Sequence, residues 1–303
     1  MGYPITLTIS PGHSGTKFLY STFMKNCSEK GTLSHELLKS HITKPAIFFR
    51  CYQKSRQIEM MNHPEIRALL TMWRASAKFG PVVDFGWTMS SLVPAFYNEF
   101  GDQLRVLVIH RHPILFAASA CVGGAYSEYK SESHTLSPMY SGARYKEFKD
   151  RWKTMTPFEK CLYRWLEVTA YGFEVKEIYP NLNHLIVKSD DIFSSDKTLE
   201  EIAQFLGLKL VQKIERSNDA NPASIFSIEQ RPIKDEWRNY KSHPKIIQLG
   251  EKLGYDLEKR CVEKIIRKYQ LPSGILPFLR HKSGYWRLKS SIGNMLRAWG
   301  LRK

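Results

Sequence analysis

Between Arg105 and His110 the chain reads Val-Leu-Val-Ile without a polar interruption. A strand with one wet face alternates apolar and polar residues. An unbroken run of β-favouring side chains belongs instead to a strand covered on both faces, as the inner strands of a parallel sheet are. Parallel neighbours need long crossover connections, usually helical, and the flanking sequence supplies them. Ile5–Ser10 is a short β-rich run, the loop Pro11–Gly15 follows, and a helical pattern runs from Thr16 to about Glu29. Ala46–Cys51 reads as a further strand. A long helix from about Arg56 to Lys78 precedes the Gly80-Pro81 turn and a strand at Val82–Phe85. Ser90–Phe100 is helix-like, and Pro113 takes the place of a first helical residue in an apolar helix reaching about Val122. Gly123–Lys153 has no clear period and reads as a long insertion. Pro157–Ile178 is helical again, His184–Lys188 is a strand, and Thr198–Leu206 is a helix closed by Gly207. The expected fold class is α/β: a single P-loop-like domain with a central, mostly parallel sheet flanked by helices. Its ligands should bind at the carboxyl ends of the strands.

Charge is the second constraint. Lys and Arg number 45 against 29 Asp and Glu, a formal +16. Seven of the positives lie in the last 33 residues, which hold no acid, so 38 positives against 29 acids leave +9 on the rest. A basic body suits a polyanionic ligand, and a basic tail suits an anionic surface. Within that tail Leu288, Ile292, Met295, Leu296 and Trp299 share one helical face. We therefore expect a domain over residues 1–270 and a basic amphipathic tail over 271–303. The tail either meets an anionic membrane surface, packs on the core or stays disordered. Hydrophobic residues at 43% and charged residues at 24% exclude a disordered or collagenous chain. No apolar run is long enough to cross a bilayer. Met1 leads straight into the first strand without a leader-like segment, so the expected setting is cytoplasmic, peripheral to a membrane where the tail engages one. The five cysteines include no C-x-x-C pair and read as reduced thiols. No His, Cys and acid spacing calls for a metal.

Two anion-binding elements stand out. Pro11-Gly12-His13-Ser14-Gly15-Thr16-Lys17 follows the first strand and opens a helix. Gly12 and Gly15 let the backbone come close to an anion, and a helix start presents free N–H groups. Ser14 and Thr16 add hydroxyl donors, and Lys17 with His13 adds charge. Only His13 and Ser14 separate the glycines, so this is not a Walker A loop. The second element is Arg111, at the carboxyl end of the run Arg105–His110, with Ser119 eight residues later in the next helix. Eight residues return nearly to the same helical face, so the pair can converge on one phosphate.

In residue type, spacing and order, Ser14-Gly15-Thr16 and the Arg111/Ser119 pair resemble the sulfotransferases that use 3′-phosphoadenosine 5′-phosphosulfate (PAPS). Leu185–Phe193 is similar to that family's strand ending in Tyr-Glu-Asp-Leu, and Ile202–Leu208 to its Phe-Leu-Gly-Leu helix end. Trp237-Arg238 and Leu253-Gly254-Tyr255 resemble its late landmarks, so the likeness spans about residues 5–256. The resemblance implies that Gly12, His13, Ser14, Gly15, Thr16 and Lys17 grip the 5′-phosphosulfate and that Arg111 and Ser119 hold the 3′-phosphate. It implies transfer of a sulfuryl group to a hydroxyl of a carbohydrate, lipid-linked or small organic acceptor. Adenosine 3′,5′-bisphosphate is then the product, with no metal and no nucleic acid involved. Where the family has Lys or Arg before Ser-Gly-Thr, this chain has His13, whose imidazole ordinarily titrates at about 6.5. Either His13 or Lys17 therefore neutralises the leaving group. An acidic general base is implied near Glu36 or near Asp84, and the sequence leaves both open.

Other readings stay open at this point. A nucleotide kinase or NTP hydrolase on a related phosphate-loop fold is one, although the Gly-Lys-Ser/Thr that orders Mg²⁺ is missing. A non-enzymatic membrane- or nucleic-acid-binding protein is another, resting on charge alone. Trp73, Trp87, Trp152 and Trp165 read chiefly as core, with an acceptor cleft as the alternative. His41, His110 and His112 read as structural.

Overall fold

The computed structural model describes residues 2–28, 31–37, 54–122, 125–126, 136–140, 142–211, 214–217 and 236–258. The strand expected at Ala46–Cys51 and the tail at 271–303 lie outside these residues. The chain runs through β1 (Ile5–Ile9), α1 (Thr16–Asn26), β2 (Thr32–Ser34), α2 (Lys54–Met61), α3 (Pro64–Ser76) and β3 (Val82–Asp84). It continues through α4 (Val93–Phe100), β4 (Leu104–His110), α5 (Pro113–Val122), α6 (Pro157–Ile178) and β5 (Asn183–Lys188). The last elements are α7 (Ser189–Ser194), α8 (Asp196–Leu206) and α9 (Pro244–Lys252).

Five strands form one sheet in the order β2-β3-β1-β4-β5, parallel at every pairing. The connection leaving β1 crosses toward β2, and the one leaving β4 crosses toward β5. Neighbouring strands whose connections diverge open a crevice at their carboxyl ends, and that is where open α/β sheets hold ligands. The unbroken apolar run behaves as expected. Val106 and Val108 point into a core with α3, α4, α5 and α6, while Leu107 and Ile109 point into a second core with α1 and α8. The period of two along a strand sends alternate residues to opposite faces, and here both faces are covered.

Helix α6 sets the depth of the crevice. Thr156 caps it, accepting from the Glu159 N–H while the Glu159 carboxylate accepts from the Thr156 N–H, and Pro157 supplies the pre-set φ of the first turn. His243, ahead of α9, bonds the same Glu159 at 3.0 Å and ties the late segment to this helix start. Burial works to raise the Glu159 pKa, but the hydrogen bonds from His243 and Thr156 outweigh it and hold the carboxyl below its ordinary value. Farther along, a Cβ on Gly172 would lie 2.6 Å from Cγ1 of Val108 and 3.4 Å from Cγ2 of Ile9. Only glycine lets the helix backbone settle this closely on the sheet. Arg164, two turns toward the helix start, is thereby carried to the carboxyl ends of the strands.

Three departures from the sequence expectations have local causes. The single helix expected over Arg56–Lys78 is two, because Pro64 lacks an N–H and starts α3 afresh, with the His63 ring accepting from Glu65 N–H. Strand β2 is three residues long, too short to carry a period, and emerges only through its pairing with β3. The described part of the Gly123–Lys153 insertion, which shows no period in the sequence, packs inward: Leu136, Phe148 and Trp152 are buried in the main core. Main-chain N–H groups of Arg144 and Tyr145 and the Tyr163 hydroxyl all donate to one buried carboxylate oxygen of Glu167 and anchor that segment to α6.

Candidate functional site

The loop after β1 is built to come close to something. Gly12 and Gly15 have φ of 82° and 97°, and between them His13 has φ of 49°. This left-handed region is open to glycine and costly to residues with a Cβ. A Cβ on Gly15 would lie 3.2 Å from Cζ of Phe193, and one on Gly12 would lie 3.0 Å from Nη2 of Arg164. The loop holds itself with its own hydroxyls: Ser10 Oγ accepts from Gly12 N–H at 3.1 Å, and Ser14 Oγ donates to the Gly12 carbonyl at 2.8 Å. Ser14 is wholly buried, so its hydroxyl turns inward and not toward the crevice. No side chain caps α1 and no acid lies in its first turn, which leaves the positive helix start open to an anion. Thr16 lies 3.2 Å from Nε2 of His35, and Lys17 is exposed one position farther along.

The second anion element reaches the same loop. Arg111 Nη1 donates to the His13 carbonyl at 2.6 Å, and Ser119 Oγ lies 3.3 Å from His13 Nδ1. Arg111 is fixed from behind, since Trp165 Nε1 donates to its carbonyl at 2.7 Å. Gly12, His13, Gly15, Arg111 and Ser119 thus meet at the divergence of β1 and β4. Trp73, Trp152 and Trp165 are core residues, whereas Trp87 is half-buried and faces the loop. His110 sits behind the site with its pKa pushed down to about 4 by burial and by Lys188, its ring bonded to the Tyr255 hydroxyl. His112 is buried too, and its ring contacts the Asp256 carbonyl. Both are neutral structural residues. His41 lies outside the described residues.

The two carboxylates part company. Asp84 ends β3 wholly buried, accepting from Ser34 Oγ at 2.9 Å, Leu37 N–H at 3.3 Å and Gly86 N–H at 3.2 Å. Those bonds hold the turn that carries Glu36. Glu36 itself is half-buried with φ of 53°, and the Gly86 Cβ position lies 2.5 Å from its backbone, so only glycine fits beneath it. Strain of this kind at a strand end persists because its surroundings over-determine it.

Burial raises the Asp84 pKa to about 6, against hydrogen bonds from Ser34, Leu37 and Gly86 that favour the charged form. The folded state therefore keeps this proton longer than the unfolded chain does, and stability falls as pH rises from about 4 through 6. The penalty is on the order of 3 kcal/mol and is complete above that range. Asp84→Asn lacks this penalty. In urea unfolding its stability relative to wild type should rise by up to about 3 kcal/mol between about pH 4 and pH 8; a difference constant with pH would show that Asp84 titrates like an exposed carboxyl.

No protein-family model matches the sequence, and no curated protein matches it by sequence comparison. Among solved structures, the chain is similar to a sulfotransferase from Alicyclobacillus acidocaldarius, with a TM-score of 0.46 and 11% identity over 84% of this chain and 97% of that one. It is similar to the sulfotransferase domain of the Synechococcus PCC 7002 olefin synthase, with 0.45 and 14% identity over 84% and 97%. A sulfotransferase domain from the curacin biosynthetic pathway scores 0.38 at 12% identity over 90% and 99%. Likeness this distant leaves the chemistry to the residues themselves.

Two of those residues escaped the sequence reading. Arg164 is a charge inside the apolar stretch Cys161-Leu162-Tyr163-Arg164-Trp165-Leu166 and is 7% exposed. A cation in a helix face otherwise given over to core was the available signal. His35 had none, since it faces Thr16 only because β2 pairs with β3.

Proposed function

We propose that this chain is a sulfotransferase that takes a sulfuryl group from PAPS and delivers it to an acceptor hydroxyl. The observation that carries this reading is the meeting of Arg111 and Ser119 at His13, inside the strand–loop–helix cradle. Two anion-binding elements about a hundred residues apart in sequence reach one loop, as a nucleotide with phosphates at two positions requires. The residues suit such a donor: a glycine-lined loop, an uncapped helix start, and a half-buried Arg–Ser pair.

The donor supplies a sulfuryl group whose S–O bond to the 5′-phosphate breaks, with the electron pair leaving on the phosphate, as a new S–O bond forms to the acceptor oxygen. Arg111 and Ser119 hold the 3′-phosphate. The loop N–H groups and the start of α1 hold the 5′ end, where preorganised donors stabilise the growing charge. Thr16 joins them, with its hydroxyl oriented by His35. Of the two carboxylates, Glu36 has surface to offer an acceptor and Asp84 has none. Glu36 is therefore the base that removes the acceptor proton, and Asp84 positions it through Ser34 and Leu37.

The test is thermal unfolding with adenosine 3′,5′-bisphosphate in the absence of Mg²⁺. A ligand at about 100 times its Kd adds about 2.7 kcal/mol, so the melting temperature should rise with bisphosphate and stay put with ATP and Mg²⁺. The opposite pattern would return the chain to the kinase or hydrolase reading.

A further inference from the structure

Arg164 is a charged side chain near the loop that none of these roles uses. It lies in α6 between Tyr163 and Trp165, both wholly buried, and is itself 7% exposed. Its guanidinium stands 4.4 Å from the Trp87 ring centroid and 6.0 Å from that of Phe116. Among the described residues it makes no ion pair, and Nε is buried without a partner. Burial pulls its pKa down while the Glu36 carboxylate works the other way, yet arginine keeps its proton at any ordinary pH. A buried cation without an anion is a costly arrangement, and such groups are found where a ligand completes them.

Its placement says which ligand. Nη2 lies 3.0 Å from the Gly12 Cβ position, and Arg111 reaches the carbonyl of the next residue, His13. Two guanidiniums therefore approach successive residues of one loop, where an anion would meet both. Arg111, Ser119 and the start of α1 account for the phosphates. Arg164 comes in beside Trp87, with the Glu36 charge acting on it, so it stands on the side where an acceptor and its base meet the loop. Lys17, the loop's own lysine, is exposed.

We propose that Arg164 holds an oxygen of the sulfuryl group being transferred, supplying from α6 the permanent positive charge that His13 leaves out of the loop. The inference rests on the function proposed above. It is tested by titrating the full chain, without acceptor, with adenosine 3′,5′-bisphosphate and with PAPS, in wild type, Arg164→Met and Arg164→Lys. The Met variant should bind bisphosphate within about twofold of wild type and PAPS at least about tenfold more weakly. Its turnover should fall on the order of 100-fold, the usual loss for one donor to developing charge. The Lys variant should recover part of the PAPS affinity, since it keeps the charge without the planar fork. Without ligand the Met variant should unfold no earlier than wild type, because it loses a buried charge that has no ion-pair partner among the described residues. Equal weakening of both ligands, or of neither, would overturn the assignment. Wild type that binds neither ligand would overturn the sulfotransferase reading itself.

Discussion

Arg111→Ala is expected to weaken adenosine 3′,5′-bisphosphate binding by about 2–5 kcal/mol, because truncating one partner of a desolvated charge pair strands the other. That corresponds to a rise in Kd of roughly 30-fold to several thousand-fold. Part of the loss comes through the loop, since the same guanidinium holds the His13 carbonyl at 2.6 Å. Arg111→Lys separates the two contributions: it keeps a charge for the phosphate but not the fork that also grips the carbonyl. Titration calorimetry reads both variants. A loss below about 1 kcal/mol for Arg111→Ala would leave Arg111 as a loop tie and remove it from the phosphate.

Glu36→Gln should lower turnover by about 10²–10⁴-fold, the usual span for a positioned general base, while the bisphosphate Kd stays where it was. Glutamine has the same length and meets the same backbone cost at φ of 53°, so the turn over Gly86 is preserved and only the proton acceptor is lost. Asp84→Asn serves as the comparison, because Asp84 acts through hydrogen bonds to Ser34 and Leu37. If Glu36→Gln turns over normally and Asp84→Asn does not, the two carboxylates exchange roles. Single-turnover rates with a fixed acceptor distinguish the outcomes.

Local chemistry wrote the architecture into the chain. An apolar run with no alternation demands cover on both faces, and Val106 to Ile109 received it from two separate cores. Glycines at 12 and 15 permit the tight loop expected after the first strand, and Pro157 and Gly207 mark a helix start and a helix end where these were expected; each is a property of one residue and its neighbours.

What only the fold could decide depends on contacts between distant segments. Three residues of β2 have no period, and they bring His35 to Thr16 and Glu36 onto Gly86 solely by pairing with β3. Asp84 and Glu36 look alike as carboxylates near strand ends, and burial separates them, raising the one to about 6 and leaving the other with surface. Arg164 reads as one charge in an apolar helix until Gly172 lets that helix settle on Val108 and the guanidinium arrives at Gly12. Backbone preferences act within a few residues and can be read one segment at a time. Desolvation and close approach are set by whatever the remainder of the molecule places nearby, and that is known only once the chain has folded.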